Sequence, residues 1–219
     1  MKSFNLVFLI ILAFSSRAAA QVQVSKEPRH KPVLENEYVR MLDVVLPPAD
    51  TTWFHIHSTP SVFLQFTSSN LATQVKDADW IKEQSEKGTV WYNPFLPDRL
   101  VHRVSNQDTN PFHVTDIEIL SSYQPAAGLI PMPFTVLLDN EKVFAYRLTE
   151  PFGNKQMMTG RGPILAALVE GDEVVFHDEG VKKTTKLEPG KFVYISPQHT
   201  FYFSAAVNKK INLVLFEIK

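Results

Sequence analysis

From Glu37 to Ile218 the chain is a succession of short runs rich in Val, Ile, Phe, Tyr and Leu, cut every few residues by turn clusters. That rhythm confines it to β architecture. Glu37–Leu46 ends at Pro47-Pro48; Val62–Thr67 ends in Thr67-Ser68-Ser69-Asn70; Leu100–Ser105 ends in Asn106-Gln107-Asp108-Thr109-Asn110. Turn chemistry of this kind closes strands rather than helices. A helical period is suggested only across Ala78 to Lys87. The expected fold class is all-β.

The two halves resemble each other weakly. Pro60 matches Pro163, Gly88-Thr89-Val90-Trp91-Tyr92 matches Gly190-Lys191-Phe192-Val193-Tyr194, and Asp116-Ile117-Glu118-Ile119 matches Leu215-Phe216-Glu217-Ile218. The offsets all stay at about 100 residues, which favours two similar β domains over one large sandwich. The proline-marked stretch Ser121 to Pro133 separates them. We therefore divide the chain into residues 21–122, a linker at 123–133, and residues 134–219, with one sheet of each domain facing the other.

Residues 1–20 read as a signal peptide. Lys2 precedes an apolar run from Phe4 to Phe14, followed by Ser15-Ser16-Arg17 and the small residues Ala18-Ala19-Ala20. These are the parts of a cleavable secretory signal, and the run is too short to span a bilayer. The expectation is an exported protein, periplasmic or secreted, that begins near Gln21 and does not insert into the membrane once cleaved.

Cysteine is absent from all 219 residues, so such a chain relies on its core rather than on disulfides. The same absence excludes a thiolate nucleophile, a zinc ribbon and an iron–sulfur cluster. The formal charge of −1 is scattered, with neither a basic tract nor an acidic tail. This points away from nucleic acid and towards a small-molecule partner, and leaves a homodimer open.

The residues that carry chemistry begin with His55-Ile56-His57. On a strand, positions i and i+2 share a face, so both imidazoles point the same way, with Trp53 beside them. His102, in the later run Val101-His102-Arg103-Val104-Ser105-Asn106, is placed to close on that pair if the two strands meet inside a barrel.

With these residues the chain resembles the cupin superfamily of antiparallel jelly-roll barrels. Its first motif contains H-x-H followed by a glutamate, and its second contains H-x3-N. The resemblance implies two tandem cupin-type jelly-roll β-barrels, a bicupin, with His55, His57 and His102 as metal ligands and Asn106 at the asparagine position. The family's glutamate falls at residue 61 or 62, where Ser61 and Val62 stand; Ala49-Asp50 stands at the opening glycine, and Pro97-Asp98-Arg99 replaces P-x-G. Three imidazoles suffice for one divalent transition metal, Fe, Zn, Mn or Ni. Gln65 and His113 are candidates for part of the space left by the glutamate.

Trp53, Gln65 and Arg103 are the candidate ligand-binding side chains. Arg29 and His30 are kept only as remote candidates for the pocket rim. In the second half, Met158, Gly160 and Phe201 align with the three histidines, so that barrel should hold no metal. His199 there is expected to be a satisfied core residue, and His30 and His177 are expected to be surface or turn residues. Two functions fit: a metal-dependent enzyme (dioxygenase, isomerase or lyase) on a small organic substrate, or a non-enzymatic cupin holding a ligand such as a sugar or phenolic. A purely structural role leaves the histidines unexplained.

Overall fold

The computed structural model describes residues 21–125, 128–149, 157–205 and 210–219. The signal-peptide assignment lies outside them. Apart from one short 3-10 turn at Val24–Lys26, the regular structure among the described residues is all strand, and no helix is long and apolar enough to cross a membrane.

The first half contains β1 (Val22–Gln23), β2 (His30–Glu35), β3 (Val39–Leu46), β4 (His55–His57), β5 (Ser61–Gln65), β6 (Ser69–Val75), β7 (Trp80–Ser85), β8 (Val90–Asn93), β9 (Leu100–Asn106) and β10 (Phe112–Ile119). They form two five-stranded sheets, ordered β1-β4-β9-β6-β7 and β2-β3-β10-β5-β8. The second half contains β11 (Thr135–Asp139), β12 (Val143–Leu148), β13 (Ile164–Gly171), β14 (Val174–Asp178), β15 (Lys183–Leu187), β16 (Phe192–Ile195), β17 (Phe201–Ala205) and β18 (Ile211–Ile218). Its sheets run β11-β12-β18-β13-β16 and β15-β14-β17. The architecture is all-β, two tandem cupin-type jelly-roll barrels, with strands distant in sequence lying side by side in each sheet.

Two strands show why the apolar runs of this chain do not always alternate. Every residue of β5 is buried, and so are the first six of β13. On β5, Val62 and Leu64 join an apolar core shared with Val143, Ala145, Leu165, Ala167, Val214 and Phe216 of the second barrel, while Phe63 faces the interior of the first. A sheet covered on both faces needs apolar residues at both parities. The same holds on β10, where Phe112 and Val114 face the first barrel and Ile117 and Ile119 face the second.

The suggested helical stretch is a strand. Trp80–Ser85 pairs antiparallel with β6 from Gln74↔Trp80 to Ser69↔Ser85. Tertiary pairing has overridden a weak local period, since a charged, exposed edge strand carries little apolar alternation of its own.

Asn106 closes the end of β9. Its side-chain nitrogen donates towards the Leu46, Pro47 and Asn110 carbonyls, and its oxygen accepts from the Asp108 N–H at 2.9 Å. Fully buried, it ties the turn after β3 to β9 and so fixes the frame in which β4 and β9 meet.

Candidate metal centre

β4 is only three residues long, but its neighbours determine its direction. It pairs antiparallel with β9 through His55↔His102, Ile56↔Val101 and His57↔Leu100, and parallel with β1 through Val22↔His55. Alternation then turns His55 and His57 inward and Ile56 outward, with both histidines buried. The His102 ring lies 4.7 Å from that of His55 and 5.0 Å from that of His57, centroid to centroid.

Three ring nitrogens here are buried and have no hydrogen-bond partner: His55 Nε2, His57 Nδ1 and His102 Nε2. His55 Nδ1 lies 2.9 Å from the Trp53 carbonyl oxygen. A carbonyl only accepts, so the proton sits on Nδ1 and the Nε2 lone pair is left facing inward.

A fourth imidazole joins them. His30, at the start of β2, is buried, with its ring 4.6 Å from that of His55. One nitrogen each of His30, His55 and His57 all lie within 4.8 Å of one another. Ligands at about 2.05 Å in tetrahedral array stand roughly 3.3 Å apart, so modest side-chain motion brings these nitrogens to coordinating distance.

His30 is held by Glu27, whose Oε2 is 2.8 Å from His30 Nδ1 and also accepts the Arg29 N–H at 2.6 Å. Glu27 Oε1 accepts the Trp53 N–H at 3.1 Å. Burial alone would raise the Glu27 pKa, but these hydrogen bonds, that from His30 first, bring it below its ordinary value. The ionised carboxylate accepts a hydrogen bond from His30 Nδ1–H, so Trp53 links two of the imidazoles, His30 through its N–H and Glu27, and His55 through its C=O. The pattern Glu27-x-x-His30, with Pro28 inside it and Pro32 just beyond, is the local sequence signal for this arrangement.

A carboxylate also faces the histidines from β10. Asp116 Oδ2 lies 3.5 Å from His57 Nδ1, too long for a hydrogen bond, and neither Asp116 oxygen has a partner. Burial, with the Glu118 charge contributing less, raises Asp116 well above the usual carboxylate range.

These groups open onto a cavity of about 380 Å³. Phe63, Trp91, Phe112 and Val114 supply apolar wall, and Gln65, Thr73, Glu83 and Ser85 supply polar groups. Among the described residues lining it, none is lysine or arginine.

Of the three candidate ligand-binding side chains, Gln65 lines this cavity and two do not. Gln65 is itself engaged, donating to the Thr67 carbonyl at 2.5 Å and accepting from the Ser85 hydroxyl. Arg103 follows His102 on a strand, so alternation sends it to the opposite face, where its guanidinium lies over the rings of Phe54 and Trp80. Trp53 is more than half exposed, because β4 starts at His55 and the inward alternation does not extend back to residue 53. His113 is on the outward parity of β10 and bonds Asp43 at 2.7 Å, so it does not fill the space near Ser61.

The second barrel provides an internal comparison. Met158 and Phe201 form an isolated bridge where His55 and His102 pair in the first, and both lie in apolar core. His199 is satisfied by Asp178 at 2.9 Å, and His177 stacks on Tyr202.

Burial lowers His55 from 6.5 to about 4 and His102 from 6.5 to about 3, with neighbouring histidines adding to each shift. His57 is lowered further by the same causes. Between these values and 6.5 the unfolded chain binds more protons than the folded one, so stability rises with pH across that window. The metal-free protein should therefore lose stability as pH falls from 6.5 towards about 4, by about 1.4 kcal/mol per unit of displaced pKa for each group. Denaturant unfolding at successive pH values checks this, and a flat profile between pH 7 and pH 5 would contradict it.

No family sequence model matches this chain, and no curated protein sequence does. Solved structures do. A cupin 2 conserved barrel domain protein from Leptotrichia buccalis is 11% identical over 86% of this chain and 88% of its own, with a TM-score of 0.57. The E. coli protein Ylba is 10% identical over 88% and 84%, with a TM-score of 0.62. Salicylate 1,2-dioxygenase from Pseudoaminobacter salicylatoxidans, in a structure of its adducts with gentisate, is 12% identical over 83% and 68%, with a TM-score of 0.57. At such identities the likeness is one of architecture, and the fold of this chain is that of the cupin barrels.

Proposed function

We propose that this chain is an exported bicupin metalloenzyme acting on a small organic substrate. Its N-terminal barrel would hold one divalent transition metal through His55, His57 and His102, with His30 as an additional imidazole at the same place. The observation that carries this reading is the pair of buried, unpartnered nitrogens His55 Nε2 and His102 Nε2, beside the clustered nitrogens of His30, His55 and His57. Buried polar atoms are almost always hydrogen-bonded, and two such orphans on facing strands beside further imidazoles fit a ligand they have in common. Imidazoles kept neutral by burial are the protonation state that metal binding needs, and they suit Zn, Fe or Ni, with Mn also within reach.

An ion held by neutral imidazoles keeps its full charge and supplies Lewis acidity towards an oxygen donor. The protein contributes the surroundings. Phe63 and Trp91, stacked with centroids 4.8 Å apart, and Phe112 present apolar wall that suits a planar body and excludes water. With no lysine or arginine in the lining, a substrate's anionic group has only the metal to bind, and a second remote anionic group would face Glu83 and Asp116. The favoured substrate is a small aromatic or otherwise apolar molecule with one oxygen-donor end. The gentisate adduct of the salicylate dioxygenase is a ligand of this general kind in a related fold.

The test is elemental analysis of the purified mature chain, then turnover and oxygen uptake on simple phenols and hydroxy acids with the metal it retains. About one ion per chain with turnover is expected. No retained ion with any of Fe, Zn, Mn or Ni would overturn the metal reading. An ion without turnover would favour a ligand-holding barrel instead.

A further inference from the structure

We propose that Asp116 is the positioning carboxylate of this metal centre, accepting the Nδ1 proton of His57 so that the opposite ring nitrogen is presented to the ion. The inference rests on the metal-binding reading above. In the cupin pattern a carboxylate follows the H-x-H pair on the chain, but here that place is taken by Ser61 and Val62. Asp116 reaches the same region from another strand, being paired with Phe63 of β5, two residues beyond Ser61.

Asp116 is 1% exposed, and neither of its oxygens has a hydrogen-bond partner. The neighbouring Ser61 hydroxyl donates to the Thr59 carbonyl at 3.1 Å and lies close enough to Asp116 to offset a small part of its raised pKa. The nearest unsatisfied group shown is His57 Nδ1, 3.5 Å from Oδ2, so a shift of a few tenths of an ångström satisfies both atoms. Metal-bound histidines generally pass their second N–H to such a carboxylate, which fixes tautomer and ring orientation. Beside a bound dication the ionised carboxylate is the favoured form.

The second barrel supports the assignment. Asp116 stands opposite Phe63, and the corresponding ladder pair there is Leu215 opposite Ala166. The barrel that has Met158 and Phe201 in place of His55 and His102 also has leucine in place of Asp116. Carboxylate and imidazoles are present together or absent together within one molecule, over a ladder that is otherwise the same.

A structural residue and a positioning residue give opposite results on substitution. Asp116→Leu copies the second barrel and removes a buried, unpartnered carboxylate, so the metal-free protein should unfold at an equal or higher temperature than wild type. Its affinity for Zn²⁺ or Co²⁺, measured by chelator competition on the full mature chain, should fall roughly 10–100-fold. Asp116→Asn, whose side-chain oxygen still accepts the His57 proton, should keep most of the affinity and the Co²⁺ absorption spectrum of wild type. Unchanged affinity in Asp116→Leu, or an Asn variant as weak as the Leu variant, overturns the assignment while leaving the metal reading intact. Should Asp116→Leu be less stable without metal, or fail to fold, the residue is structural and the assignment falls. Absence of metal binding in wild type removes both readings together.

Discussion

Replacing His102 with alanine should markedly weaken metal retention by the N-terminal barrel. His102 lies on β9 directly opposite His55, and its Nε2 is buried with no partner in the protein. Its removal takes away a proposed ligand on the β9 side and leaves His30, His55 and His57, whose nitrogens lie within 4.8 Å of one another. The loss should exceed the ~10–100-fold that removal of an outer-shell partner costs. Stability should change little, because the lost ring borders an existing cavity rather than leaving a sealed void. Elemental analysis of wild type and His102→Ala, each offered Zn²⁺, Fe²⁺, Mn²⁺ and Ni²⁺ separately and then dialysed, measures the effect. Equal, sub-stoichiometric metal in both would mean that the histidines are a relic of an ancestral site.

Much of this arrangement follows from two-residue periodicity and was readable before any coordinates. His55 and His57 share a face because the strand rule holds wherever a strand exists, and the recurrence of Gly88 to Tyr92 at Gly190 to Tyr194 marks a repeated barrel. The same rule, applied to its end, would have placed Arg103 outside, since a residue next to an inward His102 must face outward. Trp53 illustrates the limit of the rule: its parity matches His55, but it precedes the strand, and only the backbone pairing reveals where β4 begins.

Glu27, His30 and Asp116 were harder to read for a different reason. Each reaches the centre from a strand or turn outside the two histidine motifs, so its proximity is a product of sheet order. β2 and β10 flank β3 in one sheet, while β4 and β9 adjoin in the other, and no local spacing encodes the distance across the barrel. A buried acid on an apolar strand, Asp116 within Phe112–Ile119, was the available signal. Such a residue costs stability unless it has a partner, and the unsatisfied group facing Asp116 is an imidazole of the opposite sheet, His57, 3.5 Å away.

Glu27→Ala should destabilise the protein by ~3–5 kcal/mol at neutral pH, since each of several buried donors left without its acceptor costs about 1–3 kcal/mol. The carboxylate is fully buried and accepts from the Arg29 N–H, His30 Nδ1 and the Trp53 N–H. Alanine would leave two backbone donors and an imidazole N–H without acceptors in a place closed to water. Damage should reach the metal centre through two routes: His30 loses the group that orients it, and the Trp53 peptide, whose carbonyl holds His55 Nδ1, loses its anchor. Metal affinity should therefore fall along with stability, although Glu27 is not itself among the clustered ligand nitrogens. The pH dependence separates this from a packing effect. Glu27 has a pKa below its ordinary 4.5 in the folded protein, so its contribution is complete above that value and is lost as pH falls through the lower folded value. Urea unfolding at pH 7 should show the full difference between wild type and Glu27→Ala, and the gap should narrow progressively below pH 4.5. A variant within ~0.5 kcal/mol of wild type at pH 7, the scale of an ordinary surface substitution, would show that the Glu27 network does not hold the N-terminal segment against the barrel.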